Sequence, residues 1–194
     1  YLGLESTASP TIAMMDPSDQ PGVIERDNTD ATSFGQAVHE YLAGLVAASD
    51  ASAAVQSLAA KFHDHALGVR ALRADQKSRE QSFLFAVDDH ILRGQVDLLF
   101  EEGGERILVD YKTDQVGSRD IAELARPYEL QIQLYAEALA NAGQKVDRGI
   151  LFFLRESVAH EVDVGPTARL RARETVAEFF DAQRRQDFSL KVGE

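Results

Sequence analysis

Cysteine is absent from the 194 residues, and that one omission excludes disulfides, thiolate zinc sites and iron–sulfur clusters together. Long apolar runs are absent too. None reaches the roughly eighteen residues a membrane helix needs, so no membrane span is expected. The opening YLGLESTASPT lacks the basic-then-apolar layout of a secretory signal and lacks an initiator Met, as expected of a piece cut from a longer chain. Neither G-x-x-x-x-G-K-[ST] nor G-x-S-x-G occurs, which leaves no phosphate-cradling motor loop and no serine nucleophile elbow. Positive charge is scarce: 20 Lys and Arg stand against 32 Asp and Glu, for a net charge of −12. A free-standing nucleic-acid binder would show the opposite balance. Two kinds of protein remain: a small module fed by a DNA-gripping partner, or one that never meets DNA.

What is present suits one folded unit. A 44% hydrophobic content over this length can bury a single substantial core. Residues 1–30 are rich in Ser, Thr, Asp and Pro without periodicity and read as a linker or arm, leaving 31–194 as the domain. Phe34, Val38, Tyr41, Leu42 and Leu45 form a helical stripe, with Thr32 or Ser33 as the expected N-cap. A second helix is expected from Ala51 to Leu67, and a third stretch to about Lys77. Strand patterns follow in SFLFAV, HILRGQVDLLF and RILVDYK, the last two joined by a tight turn at Gly103-Gly104. Thr113 to Ser118 read as a loop leading to helical turns near Asp120–Ala125. Pro127 then starts a helix to about Ala142, GILFFLR and AHEVDV are strands, and Pro166 opens a helix to about Gln186. The order predicts a mixed α/β fold.

The hairpin carries the most chemical information. With Gly103-Gly104 as its two turn residues, Glu102 faces Glu105, and the same register carries Asp97 to a place opposite Asp110. Alternation puts Leu108, Asp110 and Lys112 on one face, with Ile107, Val109 and Tyr111 on the other. Two carboxylates opposed across a ladder, with Cβ atoms about 4.5–5.5 Å apart, repel. A divalent cation between them, with Lys112 alongside, resolves the conflict. Without thiolates it must be held by oxygen and imidazole, which favours Mg²⁺, with Mn²⁺ able to substitute. A solvated strand end is the plainer account of either Asp alone, but Leu98-Leu99-Phe100 and Leu108-Val109 surround the pair with apolar residues.

Gly94-Gln95-Val96-Asp97 followed by Val109-Asp110-Tyr111-Lys112-Thr113 resembles the paired G-x-x-D and D-Y-K-T signatures of the RecB-like branch of PD-(D/E)xK nucleases. Gly35-Gln36-Ala37-Val38-His39 is similar to that branch's G-x-x-x-H motif, and Gln131 with Tyr135 to its Q-x-x-x-Y helix. Arg79-Glu80 and Phe83 resemble the lead-in to its first core strand. The Pro-Asp dipeptide of the superfamily's name is missing at Asp97, and this branch does not require it. The matches run in family order, and the resemblance is nearest to the nuclease module at the C-terminus of AddA- and RecB-type helicase–nucleases. It implies a restriction-endonuclease-like core, with a central mixed sheet containing an antiparallel hairpin and flanked by helices. The four-cysteine cluster that some relatives carry is excluded here, as is zinc.

By that resemblance His39, Asp97 and Asp110, with the Tyr111 backbone carbonyl, bind the metal. Lys112 orients or deprotonates the attacking water, or stabilises charge on the scissile phosphate. Gly35, Gln131 and Tyr135 support the site or the DNA. On helix periodicity alone His39 is a core-edge imidazole and Gly35 a minor helix defect. Gln131 and Tyr135 lie one turn apart on one face with Tyr128, and an inward Gln needs a polar partner. His63-x-His65 is no chelate, because positions two apart on a helix face different ways. The arginines from Arg169 to Arg185 are interleaved with Glu174, Glu178 and Asp181 and read as a solvated face.

The expectation is thus an Mg²⁺-dependent DNA exonuclease or endonuclease domain acting on single strands delivered to it. Tethered helicase domains and a partner subunit, double-strand-break repair and a cytoplasmic, bacterial-type setting are implied with it. A stand-alone repair or phage-type exonuclease, and an inactive nuclease fold serving as a DNA-channel or interaction module, are the alternatives.

Overall fold

The computed structural model describes residues 26–114 and 120–191, with side chains for 32–114 and 120–185. Its elements are α1 (Arg26–Ala43), α2 (Ala53–Asp64), α3 (Ala66–Arg73), β1 (Lys77–Val87), β2 (His90–Glu102), β3 (Glu105–Lys112), α4 (Ile121–Asn141), β4 (Arg148–Phe153), β5 (Val158–Val162) and α5 (Pro166–Lys191). Most of the arm expected over residues 1–30, and the centre of the loop after Thr113, lie outside the described residues.

The sheet is mixed, in the order β1-β2-β3-β4-β5. Only the β3–β4 pair is parallel, which requires the long crossover that α4 supplies. Residues of alternate parity feed two layers. Val38, Leu42, Val55, Leu58, Phe62 and Leu67 of α1–α3 pack on Leu98, Ile107, Val109, Tyr111 and Phe152. On the opposite face Ile132, Tyr135, Ala136 and Leu139 of α4 pack on Val96, Leu99, Leu108 and Leu151. Helix α5 closes over the β1–β2 hairpin through Ala172 and Phe180 against Phe85, Val87 and Leu92.

Three expected boundaries need correction. Helix α1 is already helical at Arg26, so Thr32 and Ser33 lie inside it and cap nothing at its start; hydroxyl residues are tolerated within helices as well as at their ends. The single helix expected over 51–67 is two. His65 adopts extended backbone (φ −73, ψ 147) and its Nδ1 accepts the Leu67 N–H at 3.1 Å, ending α2 and capping α3. Gly68 permits this tight corner, since a Cβ there would lie 1.8 Å from the Phe62 carbonyl oxygen. Helix α4 does not start at Pro127 but runs through it from Ile121, capped by Asp120. It forgoes one backbone hydrogen bond at the proline while Leu124 and Ala125, just before it, are buried.

Candidate active site

Two turns set the register of the strands that carry the site. Across Gly103-Gly104, β2 and β3 pair as Glu102–Glu105, Leu99–Leu108 and Leu98–Val109, in the register the turn predicts. The ladder then stops. Asp97 and Asp110 are not joined as a ladder pair; instead Asp97 Oδ2 accepts the Tyr111 N–H at 2.7 Å. Across the second turn, Asp88-Asp89, β1 and β2 pair from Val87–His90 to Lys77–Phe100, with Arg79–Leu98 and Gln81–Val96 on either side of Glu80 and Asp97.

At that point the alternation of faces breaks. Glu80 has φ +52, in the left-handed region. Arg79 therefore lies beside Gly44 at the end of α1, whereas Gln81 bonds Gln144 just beyond α4, although two residues apart they should share a face. Val96 likewise packs with α4, and Leu98 with α1–α3. The outcome is a group of one imidazole and two carboxylates: ligand atoms of His39, Glu80 and Asp97 all lie within 4.8 Å of one another. His39 Nδ1 is 3.1 Å from Asp97 Oδ1, and its ring meets Tyr111 edge-on at 5.8 Å. Gly35 is buried one turn earlier on α1.

Asp110 and Lys112 leave the same stretch of β3 towards α4. Both are fully buried, with Asp110 Oδ2 2.8 Å from Lys112 Nζ. Lys112 Nζ also donates to Gln131 Oε1 at 2.9 Å and sits 4.0 Å above the centre of the Tyr128 ring. Gln131 Nε2 donates to the Tyr135 hydroxyl at 2.6 Å, which fixes the amide so that its oxygen faces the lysine. The polar partner that an inward Gln131 demanded is thus Lys112. The distractors behave as expected: His65 is a helix cap, and Arg169 and Arg184 pair with Glu137, Asp181 and Asp89.

Residues 18–193 match the family model described as the PD-(D/E)XK nuclease superfamily. The chain belongs to that superfamily. Among its relatives is an ATP-dependent helicase/nuclease subunit of Listeria welshimeri, 29% identical over 178 residues, covering 70% of this chain and 14% of that protein. The like-named protein of Clostridium kluyveri is 35% identical over 109 residues, covering 47% and 9%. The chain therefore spans only a small part of the length of these relatives. A crystal structure of a candidate exonuclease from Eubacterium rectale shares the fold, with a TM-score of 0.56 at 14% identity, covering 82% of this chain and 68% of that one.

Within this superfamily fold the electrostatics of the site suit the holding of a cation. Burial pushes the Glu80 carboxyl up, and Asp97 opposite pushes it further. Burial raises Asp110 to about 6; Lys112 opposes that shift and Asp97 reinforces it. Burial by itself would lower the His39 imidazole, but the charge and hydrogen bond of Asp97, helped by Asp110, reverse the sign and raise it. His39 Nε2 and Asp110 Oδ1 are buried without a hydrogen-bond partner among the described residues. Orphaned buried polar atoms of this kind are costly, and a metal ion would satisfy them. The donors are carboxylate oxygens and an imidazole, the set that suits Mg²⁺ or Mn²⁺.

Glu80 is the metal-site residue that sequence reasoning missed, although Arg79-Glu80 stood out as a lead-in. The signal was available. The argument applied to Gly103-Gly104, applied also to Asp88-Asp89, pairs Glu80 with Asp97.

Proposed function

We propose that this chain is a metal-dependent deoxyribonuclease module that hydrolyses phosphodiester bonds in single-stranded DNA. In this reading it is tethered to helicase domains, works beside a partner subunit in double-strand-break repair and recombination, and acts inside the cell. The observation that carries the activity is the buried convergence of His39, Glu80 and Asp97 next to the Asp110–Lys112 pair. The relatives' names, which describe ATP-dependent helicase/nuclease subunits, support the setting.

His39, Glu80, Asp97 and Asp110, with the Tyr111 carbonyl, would hold Mg²⁺ or Mn²⁺. When bound, the ion supplies an acidified water and neutralises charge at the phosphoryl group. Asp97 does two jobs at once: Oδ1 faces His39 while Oδ2 grips the Tyr111 N–H, so strand β3 is locked to the ligand group. Lys112 brings a fixed cation to the scissile phosphate and orients the attacking water. Gln131 and Tyr135 hold the lysine in place, and Gly35 gives the DNA backbone room beside His39.

Paired variants test the assignment. Asp110→Ala removes a ligand and Lys112→Ala does not, so both lose cleavage of single-stranded DNA by about 100-fold or more. Calorimetry should separate them, with Mn²⁺ affinity much reduced in Asp110→Ala and kept in Lys112→Ala. Undiminished cleavage in a verified excess of chelator, or by Lys112→Ala, overturns the reading.

A further inference from the structure

We infer that Tyr128, outside every motif that marks the site, is a positioning residue whose ring face holds the Lys112 ammonium in its working place. The inference rests on the nuclease reading for its kinetic consequence and on geometry for the contact itself. Lys112 Nζ has three electron-rich partners: Asp110 Oδ2 at 2.8 Å, Gln131 Oε1 at 2.9 Å and the Tyr128 ring at 4.0 Å from its centre. The first two are point acceptors, and each pulls the ammonium along one line. The ring is different, because the negative face of its quadrupole attracts a cation without offering a lone pair to bond.

Tyr128, Gln131 and Tyr135 stand at i, i+3 and i+7 on α4, so one helix face supplies a ring, an acceptor and the hydroxyl that orients the acceptor. The Lys112 side chain is completely buried, so a lysine misplaced here finds no water to compensate it. Remove the ring, and Asp110 and Gln131 alone decide where the ammonium rests. Tyr128 thus acts through Lys112, and its effect belongs in turnover rather than in metal or DNA binding.

Replacing Tyr128 with phenylalanine and its mono-, di- and trifluorinated analogues keeps the shape while draining charge from the ring face. Leucine at this position removes the face altogether. In the full 194-residue chain with Mn²⁺, kcat on single-stranded DNA should be near parental for Tyr128→Phe. It should fall stepwise with fluorination, in proportion to lost cation affinity, to about tenfold lower in Tyr128→Leu. KM, Mn²⁺ affinity and Tm should stay constant along the fluorinated series, which a packing role alone cannot reproduce.

A second readout needs neither metal nor turnover. The chain has five lysines, so the ¹³Cε-labelled Lys112 methylene can be assigned by Lys112→Arg. Its protons should be shifted upfield by the ring and return towards the ordinary lysine position in Tyr128→Leu. An unshifted Lys112 signal in the parent overturns the contact. A shifted signal with kcat unaffected by fluorination or by leucine overturns the positioning role. A parent that cuts no DNA, yet shows the shift, removes the nuclease reading and with it the kinetic claim, and leaves the contact established.

Discussion

A carboxyl whose pKa is raised by burial stabilises the fold in its protonated form. Below the ordinary carboxylate pKa of about 4 that stabilisation is complete, and it is lost as pH climbs through the folded-state value. Glu80 is raised by burial and then by Asp97, and Asp110 is raised by burial to about 6. His39 is raised as well, so its contribution is lost in the same direction. Glu102, Asp147 and Glu161 are lowered, through bonds to Arg70, to the Arg106 backbone and to Arg148, and their contribution is lost only in more acid solution. The metal-free chain should therefore lose thermal stability between about pH 5 and pH 7. Mn²⁺ should restore it, with a Tm gain that is small at about pH 5 and grows towards about pH 7.5, because the ion must displace the protons. Glu80→Gln, neutral throughout, should flatten the metal-free decline and shrink the Mn²⁺ gain. Differential scanning calorimetry across that range decides it; a Mn²⁺ gain that does not vary with pH would exclude these carboxyls as ligands.

At the scale of elements, the hairpin and helix that build the site were legible because their signals are local. Gly103-Gly104 fixed the β2–β3 register, and the spacing of Gln131 and Tyr135 placed both on one face of α4. The break at Glu80 was not legible, since a left-handed Glu inside a strand contradicts period-two alternation and only its tertiary surroundings hold it there. The continuity of α4 through Pro127 was hidden for the same reason, because packing outweighed local preference. Gly94 shows how far such tertiary coupling reaches. A Cβ there would come within 2.3 Å of Phe83 Cζ, and the Phe83 ring meets Tyr135 edge-on at 5.1 Å. Strand β1 thereby supports the α4 residue that orients Gln131 towards Lys112. Gly94→Ala should tilt Phe83, cost about 1–3 kcal/mol by overpacking, and lower kcat more than Mn²⁺ affinity. Phe83→Leu added to Gly94→Ala should recover most of the stability if the clash is the cause, a coupling that a double-mutant cycle in urea measures. Additive losses would place the role of Gly94 elsewhere.

For the molecule as a whole, a net charge of −12 sets a nuclease fold against its own polyanionic substrate. Charge of that sign slows encounter and weakens binding, whereas chemistry after binding depends on groups already in place around Asp97 and Lys112. A tethered DNA-gripping domain changes the first quantity and not the second, since it raises the local DNA concentration to roughly millimolar without touching the site. Fusing a sequence-independent single-strand-binding domain ahead of α1 should therefore lower KM for single-stranded DNA by about 100-fold. At saturation kcat should stay within about twofold of the unfused chain, because uniform binding does not accelerate the chemical step. The advantage should fade as salt is raised, since the added domain binds by releasing counterions from phosphates. Steady-state kinetics on the two proteins at several salt concentrations provide the comparison. A roughly tenfold rise in kcat with KM unchanged would count against simple delivery, and would mean that the neighbouring domain completes the active site.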